Sequence, residues 1–237
     1  MLCCTIEIKS ITASFRNPEF QNFQKSFPLP PPTALIGFAG AALGFSPRQA
    51  QDFFDTNAFQ AGVSGKGEGL ARDLWKYDRL SGTGSSVIIR ELYVNTHYRL
   101  VFGSENYAAV EQLKQAFDRP VYALTLGQSD SLAKVVRTQL TDAIVEGETL
   151  VDTLVEGDIV PVILEQVLYG GTFALSLSTS DPIAYQLPTR FNYKSEYSMR
   201  TVAQRKLFSF VGPKVTFRSR TFPGVQVDDI FVPLFTL

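Results

Sequence analysis

SFPLPPPTALIGFAGAALGFSP, residues 26–47, carries the reading of the fold. Its three consecutive prolines, Pro30, Pro31 and Pro32, stop any regular structure that precedes them. Pro32 suits the first turn of a helix, where a missing N–H costs nothing. Residues 34–45 are apolar nearly all round, so the predicted helix is buried. Gly37, Gly40 and Gly44 each lower its propensity by up to ~1 kcal/mol relative to alanine. Glycine makes sense there if a strand or another chain passes very close. Ser46-Pro47 then opens a second short helix, to about residue 54, with Ser46 as its cap.

Working outward, residues 4–8 alternate apolar and polar and read as a strand. Residues 57–63 form a second strand. GVSGKGEGLARDLWKYDRLSGTGSS (62–86) has no clear period and is bracketed by glycine-rich ends. It reads as a protruding excursion, a hairpin with a loop. Residues 87–94 and 98–102 are strand-like with a break at Asn95-Thr96. Residues 104–117 form a helix, with Ser104 able to cap it and Tyr107, Val110, Leu113 and Phe117 at helical spacing. Residues 121–126 read as a strand ending at Gly127. The order strand, helix, strand, strand, helix, strand is ferredoxin-like. The expectation is an α+β fold: a ferredoxin-like unit over 1–140 with a hairpin inserted at about 64–90, and a β-rich region over 141–237.

Hydrophobic residues make up 45% of the 237 and charged residues 19%, enough for a real core. No apolar run approaches the ~20 residues that span a bilayer. MLCCTIEIKS lacks the charged and apolar regions of a signal peptide. No membrane is expected, and a cytoplasmic setting is the default. Cys3 and Cys4 are adjacent and offer no disulfide framework. With one histidine, no metal site or cofactor is expected.

A net charge of -1 argues against a nucleic-acid binder, but the distribution is uneven. Residues 142–165 hold seven acidic groups and no lysine or arginine, while 190–220 hold eight basic groups against Glu196 alone. Opposite signs in separate segments allow a basic face and an acidic one. In 190–220 the cations are mixed with Phe191, Tyr193, Tyr197, Phe208, Phe210 and Phe217, a composition that suits phosphate attraction and base stacking. Antiparallel strands with charges outward and aromatics in the core need the same composition.

Three segments are candidates for binding. The helix start at Pro32-Thr33 offers free N–H groups and the Thr33 hydroxyl, with Lys25 and Ser26 nearby, for a phosphate; an ordinary helix start is the alternative. The loop after Leu126, LGQSDS, groups amide and hydroxyl donors as it leaves the expected strand; a turn and a capped helix is its alternative. The excursion supplies Lys66, Arg72, Lys76, Arg79 and the adjoining Arg90, with Trp75 and Tyr77 as stacking faces. A solvated loop anchored by Trp75 is the alternative there. Metal-independent RNA cleavage needs an acid and a base, and His97, near Tyr93 and Tyr98, is the sole histidine for it. Nucleotide-binding and hydrolase motifs are absent, so no catalytic residue is assigned.

A first strand followed by ASFRNPEF (13–20) and the proline-rich approach to a Gly/Ala-rich helix resembles the N-terminal signature of the fifth Cas family of the RAMP superfamily. YALTLGQSD (122–130) resembles a later segment of that family, and the tryptophan-containing excursion lies where the family inserts its thumb. The resemblance covers mainly the first 130 residues. It implies an RNA-recognition-type palm with an inserted thumb hairpin, in a non-catalytic Cascade subunit of type I-B that holds the 5′ handle of the crRNA. The implied partners are that handle, the repeated backbone subunit, the large PAM-reading subunit and target DNA near the PAM. Carried over by position, Arg16, Thr33, Gln128 and Ser129 become palm contacts; Lys66, Trp75, Lys76 and Arg79 become thumb contacts. One branch of the family processes precursor crRNA itself, which is the alternative function. That branch typically shows a Lys-His site, and this chain has no Lys-His pair.

Overall fold

Alternation in LCCTIEIKSITA builds the central strand β1 (Leu2–Ala13). Cys4, Ile6 and Ile8 are buried on one face, while Glu7 and Lys9 point to the other. The structure is a computed structural model that describes residues 1–78, 84–163, 183–195, 199–212, 214–218 and 220–237. The chain continues through α1 (Pro32–Leu43), α2 (Pro47–Thr56), β2 (Gln60–Lys66), β3 (Gly69–Asp78), β4 (Ser85–Ser104), α3 (Tyr107–Asp118) and β5 (Ala133–Thr141). Then come β6 (Thr153–Glu156), β7 (Ile183–Tyr193) and β8 (Arg200–Val211), with shorter strands between and after them.

The main sheet has the order β7-β8-β6-β2-β4-β1-β5, and every neighbouring pair along it is antiparallel. The strands from the C-terminal region therefore extend the sheet begun by β1. Helices α1 and α3 cover the face that carries Cys4, Ile6 and Ile8, and the resulting core also takes in Leu187, Phe208, Phe210 and Phe235. On the opposite face, a hairpin of Phe222–Val227 and Ile230–Pro233 packs Val225, Val227 and Val232 against Cys3 and Val101. It leaves the Glu7 and Lys9 end of that face open.

Strand β4 is one strand of 20 residues where two were expected. Its first half pairs with β3, from Gly69 opposite Val94 to Asp78 opposite Ser85, forming a hairpin that extends beyond the sheet. Its second half pairs with β1 and β2. The expected break is visible as Asn95, whose φ of 49° puts it in the left-handed region that asparagine tolerates better than most residues. The polar pair Asn95-Thr96 kinks the strand without interrupting it.

Helix α1 starts and stops as its sequence dictates. Pro31 is the N-cap, and Gly44 (φ 76°) ends the helix while the Phe45 N–H donates to the Gly40 carbonyl at 2.9 Å. Helix α2 has a reciprocal capping box: the Gln49 amide donates to the Ser46 hydroxyl, and the Ser46 amide donates to the Gln49 side chain. The α1 glycines were expected to admit a strand or another chain, but the close approach, at Gly40, is to helix α2 of the same chain: an added Cβ would lie 2.6 Å from Ala50 Cβ. Asn106, not Ser104, caps α3; the Ser104 hydroxyl instead donates to the Asn57 carbonyl.

The strand expected at 121–126 is not formed. The Val121 and Tyr122 amides donate to the Ala42 and Ala41 carbonyls at 3.0 and 3.2 Å, so this apolar segment closes the C-terminal end of α1. Only Thr125 makes a bridge, to Leu132, and the strand that pairs with β1 is β5. Alternating apolar residues gave the right composition for a strand, but the orphan carbonyls of α1 claimed the backbone donors.

Candidate nucleic-acid interface

Three turns of chain converge at the N-terminal end of α1. After β1, Phe15 and Arg16 pair with Phe27 and Ser26, which folds residues 15–27 back on themselves. The Ser14 amide donates to the Leu126 carbonyl at 3.0 Å, drawing the 126–128 loop against this turn. Gly127 makes that approach possible. Its φ is 91°, and an added Cβ would lie 1.9 Å from the Ser14 carbonyl oxygen. The Gly127→Ala variant is expected to lose about 2 kcal/mol or more, from left-handed strain and the displaced Ser14 turn. A thermal melt at least about 4 °C below wild type would show it; an unchanged melt would mean that the turn relaxes freely.

The convergence leaves a cavity of about 360 Å³ lined by Arg16, Thr33, Gly37, Gln128 and Arg200. It opens into a wider cleft of about 1020 Å³ that shares Arg16, Pro31, Thr33 and Arg200 and adds Tyr185, Phe191 and Arg205. Among the described residues, Glu19 is the one acidic residue lining either space. Arg16 and Arg200 have no carboxylate partner among the described residues. The Arg200 guanidinium lies 4.3 Å from the centroid of the Phe191 ring, a cation–π arrangement that holds it at the cleft. Arg205 donates to the Gln186 carbonyl at 3.0 Å.

The helix start contributes less than a helix N-terminus ordinarily does. Pro31 and Pro32 have no N–H, and the Ala34 and Leu35 amides are taken by the Pro31 carbonyl. The Thr33 amide and hydroxyl remain. The two unpaired arginines, not backbone amides, therefore dominate the attraction for an anion.

The chain matches the family model described as CRISPR-associated protein (Cas_Cas5) over residues 5–223. It belongs to the CRISPR-associated Cas5 family. A chain of a structure described as "CRISPR RNA-guided surveillance complex" shares the fold, at 12% identity and TM-score 0.50, with 92% of this chain and 91% of that one aligned. A CRISPR protein from Archaeoglobus fulgidus aligns over 100% of both chains at 13% identity and TM-score 0.46. A further structure, described as a Cas protein, aligns at 18% identity and TM-score 0.37 over 54% of this chain, which spans 57% of its length. No curated protein matches the sequence.

Of the residues carried over from the Cas5 resemblance, Arg16, Thr33 and Gln128 meet in one cavity. Ser129 is exposed on the same loop, beside Asp130. Ser26 is buried, its hydroxyl accepting from the Phe15 amide at 2.8 Å and donating to the Phe27 carbonyl at 2.9 Å. Lys25 sits over the Phe20 ring and lines a separate cavity with Lys66. Lys66 ends β2 and pairs with Asp152 at 3.2 Å. Trp75 and Lys76 are consecutive in β3 and so occupy opposite faces of the hairpin; Trp75 shares its face with Tyr77, 6.0 Å away. Arg79 lies outside the described residues.

Arg90, counted with the free cations of the excursion, is committed internally. It is buried and bridges Asp73 of the hairpin (2.6 Å) and Asp130 of the 126–130 loop (2.9 Å), fastening one to the other. The site residue that sequence reading did not single out is Arg200. Its signal was the basic and aromatic composition of 190–220, but in that segment Phe208, Phe210 and Phe217 are core and Tyr197 lies outside the described residues. Arg190 and Lys206 are held by Asp55 and Glu156. Periodicity could not tell the arginine that faces the cleft from its basic neighbours in the same segment.

The residues near His97 are engaged. His97 Nε2 lies 2.7 Å from Glu7 Oε1, and the other Glu7 oxygen is 3.3 Å from Arg137. The Tyr98 hydroxyl donates to the Pro28 carbonyl, and burial pushes its pKa well above the ordinary phenol value; burial, aided by Glu91, also raises Tyr93. The Cys4 thiol is pushed up to about 12 by burial, which removes it as a nucleophile near neutral pH. Among the described residues, no group of three His, Cys, Asp or Glu side chains could hold a metal ion, and no helix is long and apolar enough to cross a membrane.

Proposed function

We propose that this chain is the non-catalytic RNA-binding subunit of a type I CRISPR effector complex, of the I-B kind, and that it holds the 5′ handle of the crRNA in the arginine-lined cleft. The sheet of β5, β1, β4 and β2 under α1 and α3 is read as a ferredoxin-like palm, and the β3–β4 hairpin as its thumb. Residues 1–140 supply palm and thumb; residues 141–237 supply the second wall of the cleft through Phe191 and Arg200. The neighbours in the complex are the repeated backbone subunit and the large subunit. One observation carries the reading: two unpaired guanidinium groups, the Thr33 donors, the Gln128 amide and an aromatic ring meet in one cleft of a Cas5-family chain. Forked donors for phosphate beside a stacking face are what single-stranded RNA requires.

The competing reading is a processing endoribonuclease built on His97. Its favourable observation is the His97–Glu7 pair. Against it stands the buried hydroxyl of Tyr98, held by Pro28 and withdrawn from proton transfer. Incubation of the purified chain with labelled precursor crRNA in EDTA separates the two. Binding without cleavage is expected. Site-specific cleavage that is lost in His97→Ala would overturn the non-catalytic assignment.

A further inference from the structure

The open face of the sheet carries a second basic feature, on the side away from the cleft. Register sets Lys66 of β2 opposite His97 of β4, His97 opposite Lys9 of β1, and Lys9 opposite Lys134 of β5. Four adjacent strands thus present a cross-strand row of three lysines and the only histidine, with no acidic residue in it. The neighbouring row on the same face is Ser64, Arg99, Glu7 and Arg137. An irregularity between Glu7 and Ile8 inserts Val136 into β5 and keeps both Lys134 and Arg137 on this face.

The acids nearby are already engaged. Glu7 serves His97 and Arg137, Asp152 serves Lys66, Asp228 serves Arg137, and Glu68 accepts from Asn95. Lys9 and Lys134 are exposed, face each other directly and have no carboxylate partner among the described residues. Like charges opposite one another on adjacent strands oppose sheet formation, so the row is a cost that an external anion would relieve. Lys9, His97 and Lys134 border a cavity of about 540 Å³ whose apolar rim is Ile11 and Leu132, 78% and 62% exposed; Glu68 lines it too, so two lysines stand there against one carboxylate. From Lys66 to Lys134 the row crosses three strand spacings, about 14 Å. That span follows several successive phosphates of one strand, which rise ~3.4 Å each along a duplex axis.

We infer that this row is a second nucleic-acid track, which takes a phosphodiester backbone across the open face while the cleft holds RNA on the other. The choice of nucleic acid over other polyanions rests on the proposed function; the uncompensated charge of Lys9 and Lys134 does not. Two sources share this chemistry: guide RNA beyond the segment in the cleft, and a separate duplex.

The test uses the full chain and three probes in fluorescence anisotropy across a salt series: an 8-nucleotide handle RNA, a longer repeat-derived RNA and a 20-base-pair DNA. Lys9→Gln with Lys134→Gln is expected to leave binding of the short RNA unchanged and to raise the melting temperature slightly, because the opposed like charges are gone. The variant should weaken the longer RNA or the duplex about tenfold. The logarithmic salt slope should fall by about 1.4 for single strands or about 1.8 for duplex, for two lost phosphate contacts. Loss on the RNA assigns the track to the guide, and loss on the duplex assigns it to a second partner. Unchanged affinity and slope with both long probes, or no binding of either by the wild type, would overturn the track and mark the row as a solvated face. The cleft fails separately: Arg16→Ala with Arg200→Ala would then leave the short RNA bound.

Discussion

Replacing Arg16 and Arg200 together with alanine is expected to lower affinity for single-stranded handle RNA by at least about a hundredfold. Hydrogen bonds to charged groups contribute roughly 1.5–3 kcal/mol each. Two guanidinium–phosphate contacts sharing one cleft are not strictly additive, so roughly 3 kcal/mol is the lower bound, and about 1.4 kcal/mol is a factor of ten. The salt slope should fall by about 1.4, one phosphate for each arginine on a single strand. Both side chains are exposed, and neither has a carboxylate partner among the described residues to be left unpaired, so the melting temperature should stay within a degree or two. Arg16→Lys and Arg200→Lys should give intermediate losses, because they keep the charge and lose the planar fork. Affinity within twofold of wild type in the double alanine variant would remove the cleft as the seat of the handle.

That cleft was partly legible in the sequence, and the division follows the physics. Arg16 and Thr33 belong to one continuous stretch whose proline block and helix start are local signals, and Gln128 follows a glycine that only a tight turn explains. Their meeting depends on a hydrogen bond from Ser14 to Leu126, more than 100 positions apart, which no local pattern encodes. Arg200 comes from still farther away and was hidden among eight basic residues of similar spacing. The fold divides likewise. Helix α1, helix α2 and β1 follow from capping and period. Residues 121–126 did not follow, because a strand-like composition was diverted to satisfy carbonyls at the end of α1. Arg90 shows the same limit for charge: a basic residue adjoining the excursion in sequence is, in space, the buried tie between Asp73 and Asp130.

The glycines of α1 give the second large effect, and they divide by position along one helix. Gly40 faces α2 with its Cα so close that a Cβ would sit 2.6 Å from Ala50 Cβ, a methyl at the centre of the contact. Alanine there would gain helix propensity of up to about 1 kcal/mol, yet would have to push α2 away from the core that holds Phe54. Valine adds two further methyls and a stiff side chain. Overpacking costs typically about 1–3 kcal/mol and more where backbone must move, so Gly40→Val should lose at least about 3 kcal/mol. For a chain of this size that lowers the melting temperature by about 6 °C or more. Gly37 lies one turn earlier, with nothing within 4 Å of its would-be Cβ, on the wall of the 360 Å³ cavity. Gly37→Ala should therefore raise the melting temperature by a few degrees through propensity alone. Gly37→Leu should keep the fold but fill the cavity between Arg16 and Gln128, and so lose RNA binding without loss of stability. A Gly40→Val protein that melts like wild type would contradict the close α1–α2 approach. A Gly37→Leu protein that binds RNA undiminished would place the handle outside the cavity. One helix thus uses a glycine to admit a neighbour of its own chain and, a turn earlier, leaves room for a guest.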